Sequence, residues 1–501
     1  MSSAGKTGCD PTTFFDSVAP AAETRASYSD FPFTWGEVEA LFRTARRLPG
    51  SYFRKLEETR GKAREFAERY VRPAALEIER RVSEDHNYFA WDLMKQACKY
   101  RFFSMIIPEA FEGVGLGVLH MAAMAEEVAA GCAGVASTIG VHSAGISCGL
   151  LSLDAYVLEK YIRPVARAEK RGEPVLWGGA VTEPLAGTDI WDEDFLKLGK
   201  IVTFAKKVPG GYRLTGRKCF ISNGSVARWI VVAGALDPKA VAESWTGFLV
   251  DTKSPGFSVG RVERKMGQKA SPAAELIMED VFVPAECRLG SEGKAGRFIS
   301  IYLAGSRGPV GAIGVGCACR SLECLIEWAQ QKRARGGRMI DQQAVQLAMA
   351  RMSSEIAAAR SLYVASCLFN DELFYEMIGG PVQRAALALL PHSLILRPSG
   401  RAVLQSATVR KAADWALSKI VPDDRLAFIS RLATAAKVVG SETGVRVSGE
   451  AARLMGPDAL DPRWPVEKAW RDAKLTMIYE GTNQANLITH FKDTARTLRR
   501  S

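Results

Sequence analysis

The chain has no long Lys/Arg run, although its net charge is +11 and its pI about 9.1. An excess of that size suits a nucleic acid, a membrane surface or a phosphorylated ligand. Because the cations are scattered, they read as a solvated surface with a basic bias, and nucleic-acid binding is the weakest reading. Met1 to Arg25 contains no apolar h-region, so no secretory signal is read. No apolar run reaches the ~18 residues of a membrane span. Ten Cys are spread along the chain, and the only cluster, Cys317, Cys319 and Cys324, has no His near it. That excludes a zinc set and points to buried thiols in a reducing compartment. A soluble, cytoplasmic protein without a metal site is expected. Internal repeats and low-complexity tracts are also missing. No G-x-G-x-x-G follows a strand, and neither G-x-x-x-x-G-K-[ST] nor G-x-S-x-G occurs, which excludes the usual dinucleotide, nucleotide-phosphate and serine-hydrolase sites.

The 501 residues, 47% hydrophobic and 24% charged, have an ordinary globular composition and a length for two or three domains. Residues 1–52 form an extension whose Phe31, Phe33, Trp35 and Phe42 would pack on the body. Residues 53–175 carry apolar positions at three- and four-residue spacing, as in Ala63–Val71, and predict a helical domain. The period changes near Leu176. Trp229–Ala233, Gly247–Val250 and Leu276–Met278 read as strands between Gly, Pro and Asn turns, so residues 176–290 predict a small β domain. Residues 291–501 are helical again. Met349, Met352, Ile356, Ala359 and Tyr363 mark one face of a long helix, as core filling. Gly379-Gly380-Pro381, Pro391, Pro398 and Pro422 break the pattern over about 371–428, which reads as an insertion. Helices, strands, helices is not the alternation of a doubly wound sheet.

One stretch near the C-terminus carries chemistry. Met477-Ile478-Tyr479-Glu480-Gly481-Thr482-Asn483-Gln484 ends a helix-like run and places a carboxylate directly before Gly. Gly permits unusual backbone conformations and close approach of a ligand. A Glu held between apolar and polar neighbours, partly dry, is suited to act as a general base. Alone, the octapeptide better describes a surface carboxylate at a helix end.

Further motifs stand upstream in order: Gly179-Ala-Val-Thr-Glu-Pro-Leu-Ala-Gly-Thr-Asp189, Gly216-Arg-Lys-Cys-Phe-Ile-Ser-Asn-Gly224, and Lys265-Met-Gly-Gln-Lys-Ala-Ser-Pro272 leading to Glu279–Pro284. With Arg471-Asp472-Ala473-Lys474 and Ile478-Tyr-Glu-Gly-Thr482, this chain resembles the acyl-CoA dehydrogenase family from about Arg60 to Lys492. The resemblance implies a mainly α fold with a central β domain: an N-terminal helical domain, a small β-barrel-like domain and a C-terminal four-helix bundle. It also implies FAD, an acyl-CoA substrate, a homotetramer or homodimer, and an electron-transferring flavoprotein as acceptor.

In that resemblance Glu480 matches the base that takes the α-proton, and Gly481 leaves room for substrate. Some branches carry the base on the first bundle helix immediately before an Arg; here Ser306 precedes Arg307, so that carboxylate is missing. Arg307 matches the Arg bordering the acyl-CoA site, its alternative being a bundle ion pair. Val181 and Thr182 match flavin-ring contacts, Phe220 an aromatic against the flavin and Ser222 a hydroxyl near N5. Thr188 stands near the CoA phosphate end. Arg333 and Gln343 match contacts to the FAD pyrophosphate from a neighbouring subunit, and Thr482 and Gln484 the FAD contacts after the base. Glu183, Pro184 and Asp189 would shape a turn.

The departures are specific. Gly336 replaces a Phe of the family, and the loop to Gln343 is one residue short. Arg453–Ala459 lacks the family's Gln and two of three Gly residues, leaving Arg453 to face a phosphate. About eight residues, including Trp191–Asp194, are added after Asp189. Two alternatives therefore accompany dehydrogenation: a flavin oxidase or monooxygenase of the same fold, and a non-catalytic subunit.

Overall fold

The computed structural model describes residues 41, 43–187, 201–334, 336–389 and 391–498. The extension before residue 41, Thr188, and the added Trp191–Asp194 lie outside the described residues.

The N-terminal domain comprises α1 (Tyr52–Phe66), α2 (Arg72–Glu84), α3 (Trp91–Lys99), α4 (Val118–Leu151) and α5 (Arg163–Lys170). One π turn, Ala67–Val71, joins α1 to α2. Pro73 follows closely on that turn, where the widened helical backbone takes a residue that has no N–H to donate. The expected Gly-rich turn after Pro108 delivers the chain to α4. A Cβ on Gly117 would lie 2.1 Å from the Asp371 carboxylate. That carboxylate accepts from the Val118 and Leu119 N–H groups and from the Tyr52 hydroxyl. A bundle residue thus caps α4 where no local side chain does, with its charge at the positive end of the helix. Burial raises the Asp371 carboxyl to about 6.

The central domain holds β1 (Trp177–Ala180), β2 (Phe204–Val208), β3 (Gly211–Ser222), β4 (Trp229–Ala235), β5 (Trp245–Asp251), β6 (Phe257–Val262), β7 (Ala273–Pro284) and β8 (Arg288–Leu289). They form one sheet in the order β6-β7-β3-β2-β4-β5-β8, with β1 parallel to β4 from Trp177↔Trp229 to Ala180↔Val232. The architecture, helical with a central sheet, is the one the motif order implies. The three predicted strands are present and longer, because ladder pairing continues past the apolar runs, to Ala235 in β4, Asp251 in β5 and Pro284 in β7.

The bundle is built from α6 (Ala295–Gln331), α7 (Gln343–Phe374), α12 (Asp423–Met455) and α14 (Asn483–Leu498), with α13 (Val466–Thr476) beside it. Met352, Ile356, Ala359 and Tyr363 face its core, with Met349 packed at the edge. By window average α4 and α6 are long and apolar enough to cross a membrane, which amends the expectation drawn from uninterrupted runs. Of those windows 67% and 72% are buried in the protein, the position of core helices. Backbone touches backbone between α6 and α12. A Cβ on Gly314 would lie 2.4 Å from the Gly440 carbonyl oxygen, and one on Gly440 2.5 Å from that of Gly311.

Between α7 and α12 the Pro-broken block folds into four short helices: α8 (Pro381–Ala388), α9 (His392–Ile395), α10 (Pro398–Leu404) and α11 (Ala407–Ile420). It leans on the N-terminal domain and the head of the bundle. His392 Nδ1 lies 2.8 Å from Glu159, Gln405 donates to Asp154 at 2.7 Å, and Arg410 to the carbonyls of Arg288 and Gly290 at 2.9 and 3.1 Å. Leu417 and Val421 are buried against Ile301 and Ala304 of α6.

Candidate active site

Helix α13 stops at Thr476, and the turn carrying Glu480 leads into α14, whose first turn is capped where Thr482 Oγ1 accepts from the Ala485 N–H at 3.3 Å. Two consecutive residues in this turn are left-handed, Glu480 at φ 55° and Gly481 at φ 82°. The second suits Gly; the first is uncommon for a side-chain-bearing residue and is held by its surroundings. Asn486 Nδ2 donates to the carbonyls of Glu480, Gly481 and Thr482 at 3.2, 2.8 and 3.0 Å. Lys437 Nζ donates to the Gly481 carbonyl and to Asn483 Oδ1, both at 2.7 Å. Arg307 Nε reaches the Glu480 carbonyl at 3.4 Å. A Cβ on Gly481 would come within 3.0 Å of the Asn486 amide.

The Glu480 carboxylate is half-buried and doubly held. Tyr302 donates its phenol to Oε1 at 2.6 Å and Ser306 its hydroxyl to Oε2 at 2.8 Å. The two donors are four residues apart on α6, one face of one helix. Ser306, where another branch of the family has its base, is therefore a ligand of this carboxylate. Burial pushes the Cys148 thiol of α4 up to about 12, with the Glu480 charge adding to it. Burial, then Glu480, raises the Tyr302 phenol far above its ordinary range. Burial lowers Arg307 to about 10 against the pull of Glu480. Lys437 falls to about 7 through burial and the neighbouring Arg307 charge.

The residues matched to flavin contacts gather at one edge of the sheet. Thr182 accepts from the Cys219 N–H at 3.0 Å, which sets it beside the bulge of β3 between Lys218 and Ile221. Phe220 projects from that bulge with φ 58° and 61% exposure, an aromatic face available for a planar ring. The Lys218 ammonium, fully buried, ties the edge together by donating to the Val181 carbonyl at 3.0 Å and to Glu183 at 2.6 Å. Ser222 ends β3 against Gly178 of β1. Exposed Phe220, beside a Val181–Thr182 turn fixed from within, is a surface that fits an isoalloxazine. This edge and the Glu480 turn meet on consecutive residues of α4. Asn223 Nδ2 donates to the Thr138 carbonyl at 3.0 Å. Tyr479 Oη lies 3.4 Å from Ser137 Oγ and accepts from Gln268 Nε2 at 3.2 Å.

Other expected contacts stand elsewhere. Arg333 sits on a two-stranded hairpin beyond the far end of α6, and Gln343 opens α7; both are exposed. Ser306 and Arg333 are 27 positions apart along α6 and its exit, roughly 40 Å at helical rise. Gln484 is exposed in the first turn of α14, and Thr482 serves as its cap. Arg453 is exposed and paired with Glu450, Nε to Oε2 at 2.7 Å. Asp458 of the altered segment accepts from Trp328 and Lys332, each at 2.8 Å.

Tyr302, Lys437 and Asn486 were not singled out by the sequence. Two of them had a signal: Tyr302 lies one helical turn before Ser306, and Lys437 is a lone cation in Ala435-Ala-Lys-Val-Val-Gly440. Asn486 had none.

The family models for acyl-CoA dehydrogenases match nearly the whole described chain: the N-terminal domain over 54–169, the middle domain over 178–281 and the C-terminal domain over 297–371 and 383–491. The chain belongs to the acyl-CoA dehydrogenase family, oxidoreductases acting on a CH–CH group. It is 28% identical to the acryloyl-CoA reductase (NADH) of Anaerotignum propionicum over 88% of this chain and 95% of that one. Butyryl-CoA dehydrogenase from Megasphaera elsdenii superposes with a TM-score of 0.69 and 26% identity over 88% of this chain and 98% of that one. A chain solved in work on the electron transferring flavoprotein of Acidaminococcus fermentans and flavin-based electron bifurcation gives 0.69 and 26% over 91% and 99%.

Proposed function

We propose that the protein catalyses FAD-dependent α,β-dehydrogenation of an acyl-CoA thioester with Glu480 as the base. The observation that carries this reading is the carboxylate itself, held by the Tyr302 and Ser306 hydroxyls on a turn stapled by Lys437, Asn486 and Arg307. FAD, when bound along the Val181–Thr182 and Phe220–Ser222 edge, supplies the hydride acceptor for the β-hydrogen. The α-proton of a thioester is weakly acidic, so a base must be fixed in direction and the developing enolate oxygen must meet a donor. Tyr302 and Ser306 give the carboxylate one orientation. The left-handed Glu480–Gly481 pair turns the backbone so that the Glu480 N–H serves the thioester carbonyl and Gly481 leaves the approach open. Arg307, one residue beyond Ser306, borders the same space.

The test is turnover of a panel of acyl-CoA thioesters, read as bleaching of bound flavin. Glu480→Gln is expected to lose about 10²–10⁴-fold in kcat while keeping its flavin. Tyr302→Phe is expected to lose about tenfold through orientation alone. A Glu480→Gln protein that dehydrogenates at the full rate overturns the assignment. The likeness to an acryloyl-CoA reductase supports a second reading, the same site working towards reduction; reoxidation of the reduced protein by an enoyl-CoA is its signature. An electron-transferring flavoprotein is the proposed redox partner, supported by the likeness to the Acidaminococcus chain. A homo-oligomer is proposed because Arg333 and Gln343 lie too far from Glu480 to share a flavin with it inside one chain.

A further inference from the structure

The block between α7 and α12 has a surface unlike the rest of the chain. From Pro381 to Ile420 it contains six Arg or Lys and a single Asp, so close to half of the chain's +11 excess is gathered in these four short helices. Arg410 is spent inside, on backbone carbonyls, and Arg401 lies 3.5 Å from Glu286. Arg397, Lys411 and Lys419 are exposed, with no carboxylate in ion-pair reach among the described residues. The same helices expose large apolar side chains: Leu389 at 84%, Val382 at 77%, Trp415 at 64% and Val403 at 63%. On α11 the two properties align. Lys411, Trp415 and Lys419 are four residues apart and all exposed, while Arg410 and Leu417 are buried beneath.

We propose that this face docks the protein peripherally on an anionic phospholipid surface. An indole with a Lys one turn to either side is the arrangement of an interfacial helix: the ring enters the headgroup layer, and the Lys stems lie along it with their ammonium groups at the phosphates. Unpaired cations on the block are drawn to the negative surface potential of such a layer. The apolar side chains come from separate short helices, which suits a fluid layer that demands no fixed complementary shape. A second copy is a poor occupant, since a two-fold contact would set the block against itself, cation to cation, with one Asp from each side.

The experiment is co-sedimentation of the full-length, flavin-loaded protein with vesicles of phosphatidylcholine, with and without phosphatidylglycerol. Binding is expected only to the anionic vesicles, with a blue shift of tryptophan emission and release in about 0.5 M salt. Trp415→Ser and the pair Lys411→Glu/Lys419→Glu are each expected to weaken binding at least about tenfold, with flavin content and oligomeric mass unchanged. The proposal is overturned if anionic vesicles are not bound, if the variants bind as the wild type does, or if the substitutions alter oligomeric mass, which would make the face a contact between copies. Binding to polyglutamate but not to the vesicles would overturn it in favour of an acidic protein partner.

Discussion

Lys437 is buried with its ammonium on the turn that carries Glu480, and its charge is the costly part of that support. Its pKa falls from an ordinary value near 10.5 to about 7, so between those limits the unfolded chain binds more protons than the folded one. Stability therefore rises with pH from about 7 towards 10 on account of this residue and is at its lower plateau below about 7. Lys437→Met is expected to be less stable overall, through two lost hydrogen bonds, and to lose that upward slope; denaturant midpoints at neutral and alkaline pH for both proteins measure it. A slope equal in both would place the proton uptake elsewhere. Glu480 was legible because a carboxylate before Gly at a helix end is a local pattern. Tyr302, which holds that carboxylate, is 178 residues away, and Lys437 is 44 residues from the carbonyl it serves. Only the packing of α6 and α12 brings them together.

At the scale of elements, the approach of those two helices rests on Gly311, Gly314, Gly440 and Gly444. Gly440→Ala places a methyl 2.5 Å from a carbonyl oxygen that no side-chain rotation can move, so the helices must part. Overpacking of this kind costs about 1–3 kcal/mol. It is expected to lower the melting temperature and also to slow turnover, because Tyr302 and Lys437 stand on opposite sides of the contact; thermal unfolding and steady-state kinetics on one preparation check both. The strand run Trp229–Ala233 was readable as an apolar stretch between turn residues, and the face Met352–Tyr363 from its three- and four-residue spacing, since burial on one side imposes it. Helices α8 to α11 were not. The first three have between four and eight residues and stand among Pro and Gly, so no window in them is long enough to show a period; α11, with fourteen, follows directly on that broken stretch. The Lys218–Glu183 pair behind the Phe220 edge escaped for another reason: as sequence it is two more charges, and only the fold makes both fully buried.

For the whole molecule, the separation of Arg333 from Glu480 has a genetic readout. Arg333→Ala is expected to bind flavin weakly and Glu480→Gln to bind it without turnover. Mixed within one oligomer, a subunit with intact Glu480 can receive Arg333 from its neighbour, so coexpression is expected to restore roughly a quarter of wild-type activity for random pairing. Refolded mixtures that stay inactive would mean that each chain completes its own site. The domain order was visible in the sequence because each domain has its own period. A homo-oligomer was implied by the resemblance alone, because an exposed Arg on a hairpin gives no sign of its own of which copy it would serve.

The glycine contact has one more consequence, for how such an enzyme changes over time. Where two helices meet main chain to main chain, their separation does not depend on which side chains evolve around them. The carboxylate hangs from that fixed frame, through Tyr302 and Ser306 on one helix and Lys437 on the other. Cys148 of α4, close enough to feel its charge, approaches it by a side chain alone. The side chains around it can therefore change one substitution at a time without moving Glu480.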